Sequence, residues 1–349
     1  MKVQILRRFT VCAGVLLLGG LAIAGVPEGG YHLLKKYDLG AAPGGKEYWD
    51  YITFDPATRR LYISHNTEVK VVDADSGAVV ASIADLKRVH GIALVSELGR
   101  GFISDGGADE VLVFDLKTLK VTNHIKTGSN PDCIIYDPAS KHIFAMNGKT
   151  NDASVIDPGS LTVIATIPMG GRPEYAVADG KGMIYDNIED KNEVVALDAR
   201  TNTVKARWPI APAEEATAMD MDIQRRRLFI GGRNRVLAIM DADTGKVVQT
   251  FPIGAGVDTN IYEAETGRLF TATREGTLHI FHEDSPDKFS VVETVTTEFG
   301  ARNMALDPKT HKLFIDTADF TPAPAPTAEQ PKPQPTPVSG TFRLLVYGR

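Results

Sequence analysis

RLYISHNTEVKVVDADSGAVVASI, residues 60–83, sets out the grammar of the chain. A run anchored at Leu61 gives way to an Asn66-Thr67 turn. A second run, Val69–Asp73, ends in Asp and is followed by Ala-Asp-Ser-Gly. A third runs from Val79 to Ile83. Short stretches rich in Val, Ile, Tyr and Thr, bounded by Asn, Asp and Gly, read as β-strands joined by tight turns.

The same grammar recurs along the chain. The anchor runs are RLYISHN, RGFISDG, HIFAMNG, GMIYDNI, RLFIGGR, RLFTATR and KLFIDTA, with anchors at Leu61, Gly101, Ile143, Met183, Leu228, Leu269 and Leu313. Successive spacings are 40, 42, 40, 45, 41 and 44 residues. Before each anchor lies an apolar run and a turn such as Asp55-Pro56, Asp137-Pro138 or Asp307-Pro308. After it comes a run usually closed by Asp, then a fourth run such as TVIATIPMG or KVVQTFPIG. Four short strands per unit at this period describe the blade of a β-propeller, and seven units predict a ring of seven blades.

The RLYISHN…VKVVDADSGAVVASI pattern resembles the YVTN repeat of YncE-like seven-bladed propellers, a WD40-like arrangement, over nearly all of residues 30–349. The fourth copy is shortened before its anchor, and the sixth has His282 in place of the usual Asp. The resemblance implies a periplasmic binding protein, with a DNA-binding relative among its kin.

Ring closure is also legible. The seventh copy supplies NMALDP and KLFIDTA. A tract with seven prolines between Pro322 and Pro337 follows, and then GTFRLLVYGR. That last stretch fits a third strand and leaves nothing for a fourth. YHLLKKYDLG, residues 31–40, overlays KVVQTFPIG and is expected to complete the seventh blade, hiding two strand edges. Residues 321–339 then become an insertion in a loop of that blade, which could arch over the channel mouth.

Residues 1–24 read as a cleavable secretory signal. The basic Lys2, Arg7 and Arg8 precede an apolar stretch ending in Ala22-Ile23-Ala24. The expected mature chain, residues 25–349, is one propeller domain, a periplasmic or secreted monomer with no membrane span. Losing three basic residues and no acidic one takes the formal charge from −6 to −9. That charge disfavours nucleic acid as a partner. Only Cys133 would remain, so no internal disulfide is available.

Propellers take ligands where the innermost strands begin, around the channel. Stepping back eleven residues from each anchor, or nine in the fourth copy, gives Asp50, His90, Asp132, Glu174, Thr217, Asp258 and Arg302. These positions are polar and do not repeat, unlike residues that serve the fold. Four carboxylates at one mouth would repel unless their pKa values rise, a cation sits among them, or Arg302 offsets them. Asp50, Asp132, Glu174 and Asp258 are therefore candidate ligands for a divalent cation such as Ca2+, and His90 would admit Zn2+ or Mn2+. Trp49 and Tyr175 flank this ring and could stack on a planar ligand. The loop after each second strand offers Asn66, Asp105, Asn147, Asn187, Arg233, Thr273 and Thr317, where Asn and Asp commonly make turns.

The leading expectation is a binding or scaffold protein that engages a small molecule, protein or peptide at an acidic channel face. A metal-dependent hydrolase of the lactonase or esterase type is the enzymatic alternative, as in gluconolactonase- and paraoxonase-like propellers, with His90 as general base. A nucleic-acid-binding or electron-transfer partner is a third. The chain has no HExxH, CxxCH or GxSxG motif and no phosphate-cradling Gly loop.

Overall fold

A computed structural model describes residue 1, residues 29–327 and residues 330–349. The secretory-signal reading of residues 1–24 lies outside the described residues. Among those described, seven four-stranded antiparallel sheets form the blades of a propeller. Blade 1 comprises Trp49–Asp55, Arg60–His65, Glu68–Asp73 and Val79–Ile83, from channel to rim. The innermost strands of the next six begin at Val89, Pro131, Pro173, Ala216, Val257 and Met304. Neighbouring innermost strands pack on one another around the whole ring, the first against the seventh.

The Asp residues common to the copies make turns. Asp55 accepts from the Ala57 amide at 3.0 Å and the Thr58 hydroxyl at 2.6 Å, and Asp307 does the same for Lys309 and Thr310. At the end of the third strand, Asp73, Asp115, Asp157, Asp198 and Asp241 each accept the amide three residues on. A short carboxylate that bonds its own backbone fixes a tight reversal. Where His282 replaces this Asp, the turn is displaced and the outer hairpin lengthens to Thr277–Ser285 and Lys288–Thr296.

The second and third strands of the blades are buried along nearly their whole length. Seven apolar clusters occupy the interfaces between adjacent blades. The arginines of QRRRLFIGGRNR tie blades together: Arg226 reaches Asp179 at 3.0 Å and Asp243 at 2.7 Å, and Arg227 reaches Asp287 at 2.6 Å.

The ring closes as the repeats predict. His32–Asp38 pairs antiparallel with Arg343–Gly348, which pairs in turn with Lys312–Thr317. Leu39 joins Trp49, Phe314 and Phe342 in the cluster between blades 7 and 1. The proline-rich insertion leaves blade 7 between its second and third strands. Its base is a two-residue ladder, Phe320 opposite Pro337 and Thr321 opposite Thr336. Glu47 accepts from the Gly340 amide at 3.1 Å, and Arg343 pairs with Asp319 at 2.8 Å, pinning both ends.

Candidate functional site

The innermost strands of blades 1 to 6 each carry a register shift near their start, between Trp49 and Ile52, Val89 and Ile92, Pro131 and Ile134, Pro173 and Ala176, Ala216 and Ala218, and Val257 and Thr259. A bulge re-aims the side chain it contains. Here it holds Asp50, His90, Asp132, Glu174, Thr217 and Asp258, and all six line one cavity of about 440 Å3 at the channel mouth. Arg302, just ahead of the seventh innermost strand, lines it too. Freed backbone groups find partners within the bulge: the Asp50 amide donates to Ser64 Oγ at 2.9 Å, and the Gly91 amide to Ser104 Oγ at 2.8 Å. Gly91 is required by crowding. A Cβ there would lie 2.9 Å from Ile134 Cγ2 and 3.1 Å from the Asp132 carbonyl oxygen, so glycine lets blade 2 carry His90 up to Asp132.

At one side of the cavity Asp50, His90 and Asp132 converge. His90 Nδ1 lies 2.7 Å from Asp50 Oδ2 and 3.5 Å from Asp132 Oδ1. The Tyr48 hydroxyl donates to Asp50 Oδ2 at 3.0 Å and also lies 3.0 Å from His90 Nδ1. His90 Nε2 is buried with no hydrogen-bond partner among the described residues. The ring is packed against Gly106, where a Cβ would approach Nε2 to 2.8 Å.

Burial opposes charge on the His90 ring, but the charge of Asp132 and the hydrogen bond and charge of Asp50 outweigh it, and its pKa rises. Burial lifts the Asp132 carboxyl to about 6 against the pull of His90. Glu174 is pushed well above the carboxylate range, by burial first and then by the charges of Asp132 and Glu189. Burial also raises Asp258, although Arg302 Nε sits 2.9 Å from its Oδ2. Tyr48, raised by burial and by the charges of Asp50 and Asp132, stays a neutral donor.

One donor atom from each of Asp50, His90 and Asp132 falls within 4.8 Å of the others, a cluster capable of coordinating a metal ion. The 3.5 Å between His90 Nδ1 and Asp132 Oδ1 suits two atoms sharing one cation at bonds of about 2 Å. The 2.7 Å contact to Asp50 is a hydrogen bond, so cation uptake would expel its proton. Two carboxylates and an imidazole suit Zn2+ or Mn2+ better than Ca2+, which takes about six to eight oxygens. Glu174 and Asp258, expected as further ligands, fall outside the cluster. Arg172 Nη2 holds Glu174 at 3.1 Å, and Arg302 holds Asp258.

The mouth is not uniformly acidic. Arg88, Lys149, Arg172 and Arg233 line it beside Arg302, with Tyr48 and Asn130. Tyr48, Arg88, Asn130 and Arg172 stand two residues before Asp50, His90, Asp132 and Glu174. These residues lie just ahead of the innermost strands, and their constant offset in four copies is the signal in the sequence that marks a second ring. Lys149 and Arg233 come from the loops after second strands.

Other candidates sit elsewhere. Trp49 is buried between blades 7 and 1, its ring 5.2 Å from that of Phe342, and it does not line the mouth cavity. Asn66 takes a left-handed conformation at φ 59° and donates to the Lys46 carbonyl at 2.8 Å. Asn147 is buried and donates to Asp152 Oδ1 and Ser154 Oγ. Asp105 accepts the amides of Lys87 and Arg88. These three hold turns. Tyr175 packs on Tyr51 with ring centroids 5.3 Å apart, and the Tyr51 hydroxyl donates to the Glu174 carbonyl at 3.2 Å. Tyr51 lines both the mouth cavity and a more apolar one of about 830 Å3 at the other end of the channel, so it stands as the floor between them.

Fold and site together define a seven-bladed β-propeller with an Asp-His-Asp cluster at its channel mouth. The chain is similar to a chain of Kuenenia stuttgartiensis hydrazine synthase, at 16% identity and TM-score 0.67, over 76% of this chain and 91% of that one. It is also similar to a chain in the crystal structure of a mitotic checkpoint complex, at 14% identity and TM-score 0.71, over 98% and 99% of the two chains. Likeness at such identity shows the fold alone. No family model and no curated protein matches the chain. Among the described residues, no helix is long and apolar enough to cross a membrane.

Proposed function

We propose that the chain is a metal-dependent hydrolase of the lactone or ester type, working at the channel mouth. The convergence of Asp50, His90 and Asp132 on one point carries this reading. These three side chains would hold a divalent cation, Zn2+ or Mn2+ by their chemistry, with His90 binding through Nδ1. Such a cation polarises a carbonyl and lowers the pKa of water. His90 is then a ligand and does not serve as the general base read from sequence; the attacking water, made more acidic by the cation, would release its proton to solvent at the open mouth.

Glu174 takes the proton-transfer role. Burial and the charges of Asp132 and Glu189 raise its pKa and favour the protonated form, which can donate to a departing alkoxide. The Arg172 guanidinium, 3.1 Å away, orients it. Tyr48 orients Asp50 through its hydroxyl. The Tyr51–Tyr175 pair closes the floor, so water and substrate enter from one side. The repeat grammar supports a place near the YVTN-repeat, YncE-like propellers, and the basic and apolar opening of the chain supports export to the periplasm or beyond.

Hydrolysis of five- and six-membered lactones and of aryl esters, by the full chain loaded with Mn2+ or Zn2+, tests the proposal. Turnover should vanish on chelation, return with the cation, and fall more than about a hundredfold in His90→Ala. A chain that takes up no metal and turns over neither class contradicts it, and leaves ligand binding as the role of the mouth.

A further inference from the structure

The charges of the mouth divide into two halves. On one side Arg172, Arg233 and Arg302 are matched within the protein. Arg172 pairs with Glu174 at 3.1 Å and with buried Glu189 at 2.8 Å, Arg233 pairs with Glu189 at 2.7 Å, and Arg302 pairs with Asp258 at 2.9 Å. Each of these cations keeps an acidic partner even with Glu174 protonated: Glu189 for Arg172 and Arg233, and Asp258 for Arg302. The other side holds Asp50, Asp132, His90, Arg88 and Lys149. A divalent cation held by Asp50 and Asp132 would use both of those negative charges. Arg88 and Lys149 would then be left with none.

Neither Arg88 nor Lys149 is in an ion pair among the described residues, and both side chains are exposed. Both are nonetheless held at the backbone. The Arg88 amide donates to Asp105 Oδ1 at 2.9 Å, and the Lys149 amide to the Ser129 carbonyl at 3.1 Å. The Arg88 guanidinium lies over the Tyr48 ring, 4.5 Å from its centroid, which holds the group beside the cluster that Tyr48 contacts. The carboxylates behind this wall do not line the cavity, although Asp109 lies near enough for its charge and that of Lys149 to attract. Asp105 accepts two amides, and Asp109 accepts the Ser129 hydroxyl and the Asn130 amide. Guanidinium and ammonium groups placed beside a site and held in no direct ion pair attract oxyanions.

We propose that the substrate of this mouth carries an oxyanion, a carboxylate or a phosphate, which Arg88 and Lys149 receive while the scissile carbonyl lies toward Asp50, His90 and Asp132. This inference rests on the metal-dependent reading of that cluster. The cavity volume of about 440 Å3 limits the substrate to a small molecule. Neutral lactones and esters would be poor substrates beside anionic ones of the same ring or leaving group.

Calorimetric titration with succinate and with inorganic phosphate provides the test, on the full chain with and without Mn2+. The Mn2+-loaded wild type should bind at least one of the two, and their ratio separates carboxylate from phosphate. Arg88→Gln/Lys149→Gln should raise Kd at least about tenfold. Going from about 50 to 200 mM salt should weaken the wild type far more than the double variant. If Arg88→Gln disturbs Tyr48, Lys149→Gln on its exposed turn still reads the proposal, with about a threefold loss. Equal affinity in wild type and double variant, or no binding of either anion at millimolar concentration, overturns it. Manganese uptake, followed in the same titrations, reads the hydrolase proposal separately. A wild type that takes no metal refutes that reading, whereas an anion affinity lost in the double variant still upholds the cationic wall.

Discussion

The bulges of blades 1 to 6 turn the innermost-strand positions into the channel mouth, and the side chains around them set their charge. Their variety was readable in sequence, since the residues that repeat from copy to copy, Asp55 or Asp73 and their equivalents, make turns. Arg88 and Arg172 were not recognised, because an arginine ahead of a strand looks like any solvated turn residue. Only the two-residue offset from His90 and Glu174 marks them. Asp186 departs from the pattern in another way. It pairs with Ala176 in the register that Ile63, Ile103 and Ala145 occupy in blades 1 to 3, and it is fully buried. Burial drives its pKa well above the carboxylate range. A carboxyl whose pKa rises on folding favours the folded state at acid pH, and that contribution is lost as pH climbs through the folded pKa. Asp186→Asn, neutral at every pH, should therefore raise the thermal midpoint at pH 8 by at least about 2 °C, with the gain shrinking toward pH 4. A pH-independent difference between the two proteins would contradict this account of Asp186.

At the scale of elements, the strand count and the turn types were legible, and the bulges were not. Nothing in PDCIIYD or PEYAVADG announces a skipped ladder position, because a bulge depends on the partner strand as much as on its own residues. The proline-rich insertion shows the same division. Its place between the second and third strands of blade 7 could be read from the leftover strand GTFRLLVYGR. Its docking could not. Phe320 packs edge-on to Trp49 at 6.0 Å and to Phe299 at 4.9 Å, and the Arg274 guanidinium lies 5.8 Å from its ring centroid. Phe320 and Pro337 share a small cavity with Tyr48 and Arg302, which sets the base of the insertion beside the mouth. Replacing residues 322–335 with a short Gly-Ser linker, while keeping Phe320 and Pro337, should leave the thermal midpoint within about 2 °C of wild type, because loop length costs little beyond the first few residues. A larger fall in a melting curve would mean that the insertion packs on the propeller beyond its base.

The whole molecule is a ring whose ends are joined by pairing His32–Asp38 with Arg343–Gly348, which ties the two ends of the described chain into one sheet and stiffens the ring. That rigidity holds seven unrelated side chains on one circle without any sequence contact between them. Charge is partitioned across the same circle. A chain with a formal charge of −6 presents a mouth with five basic side chains in its lining, so net charge was a poor guide to this face. The Asp50–His90–Asp132 convergence across blades 1 to 3 became visible only once the ring was closed, although each residue was readable as a channel position. It is the centre of the account, and a crystal soaked in Mn2+ tests it most directly. An anomalous difference map collected near the manganese edge should show one strong peak bonded by His90 Nδ1 and the carboxylates of Asp50 and Asp132, with the Asp50–His90 hydrogen bond opened. A map with no peak in the mouth, and with that 2.7 Å contact intact, would contradict it.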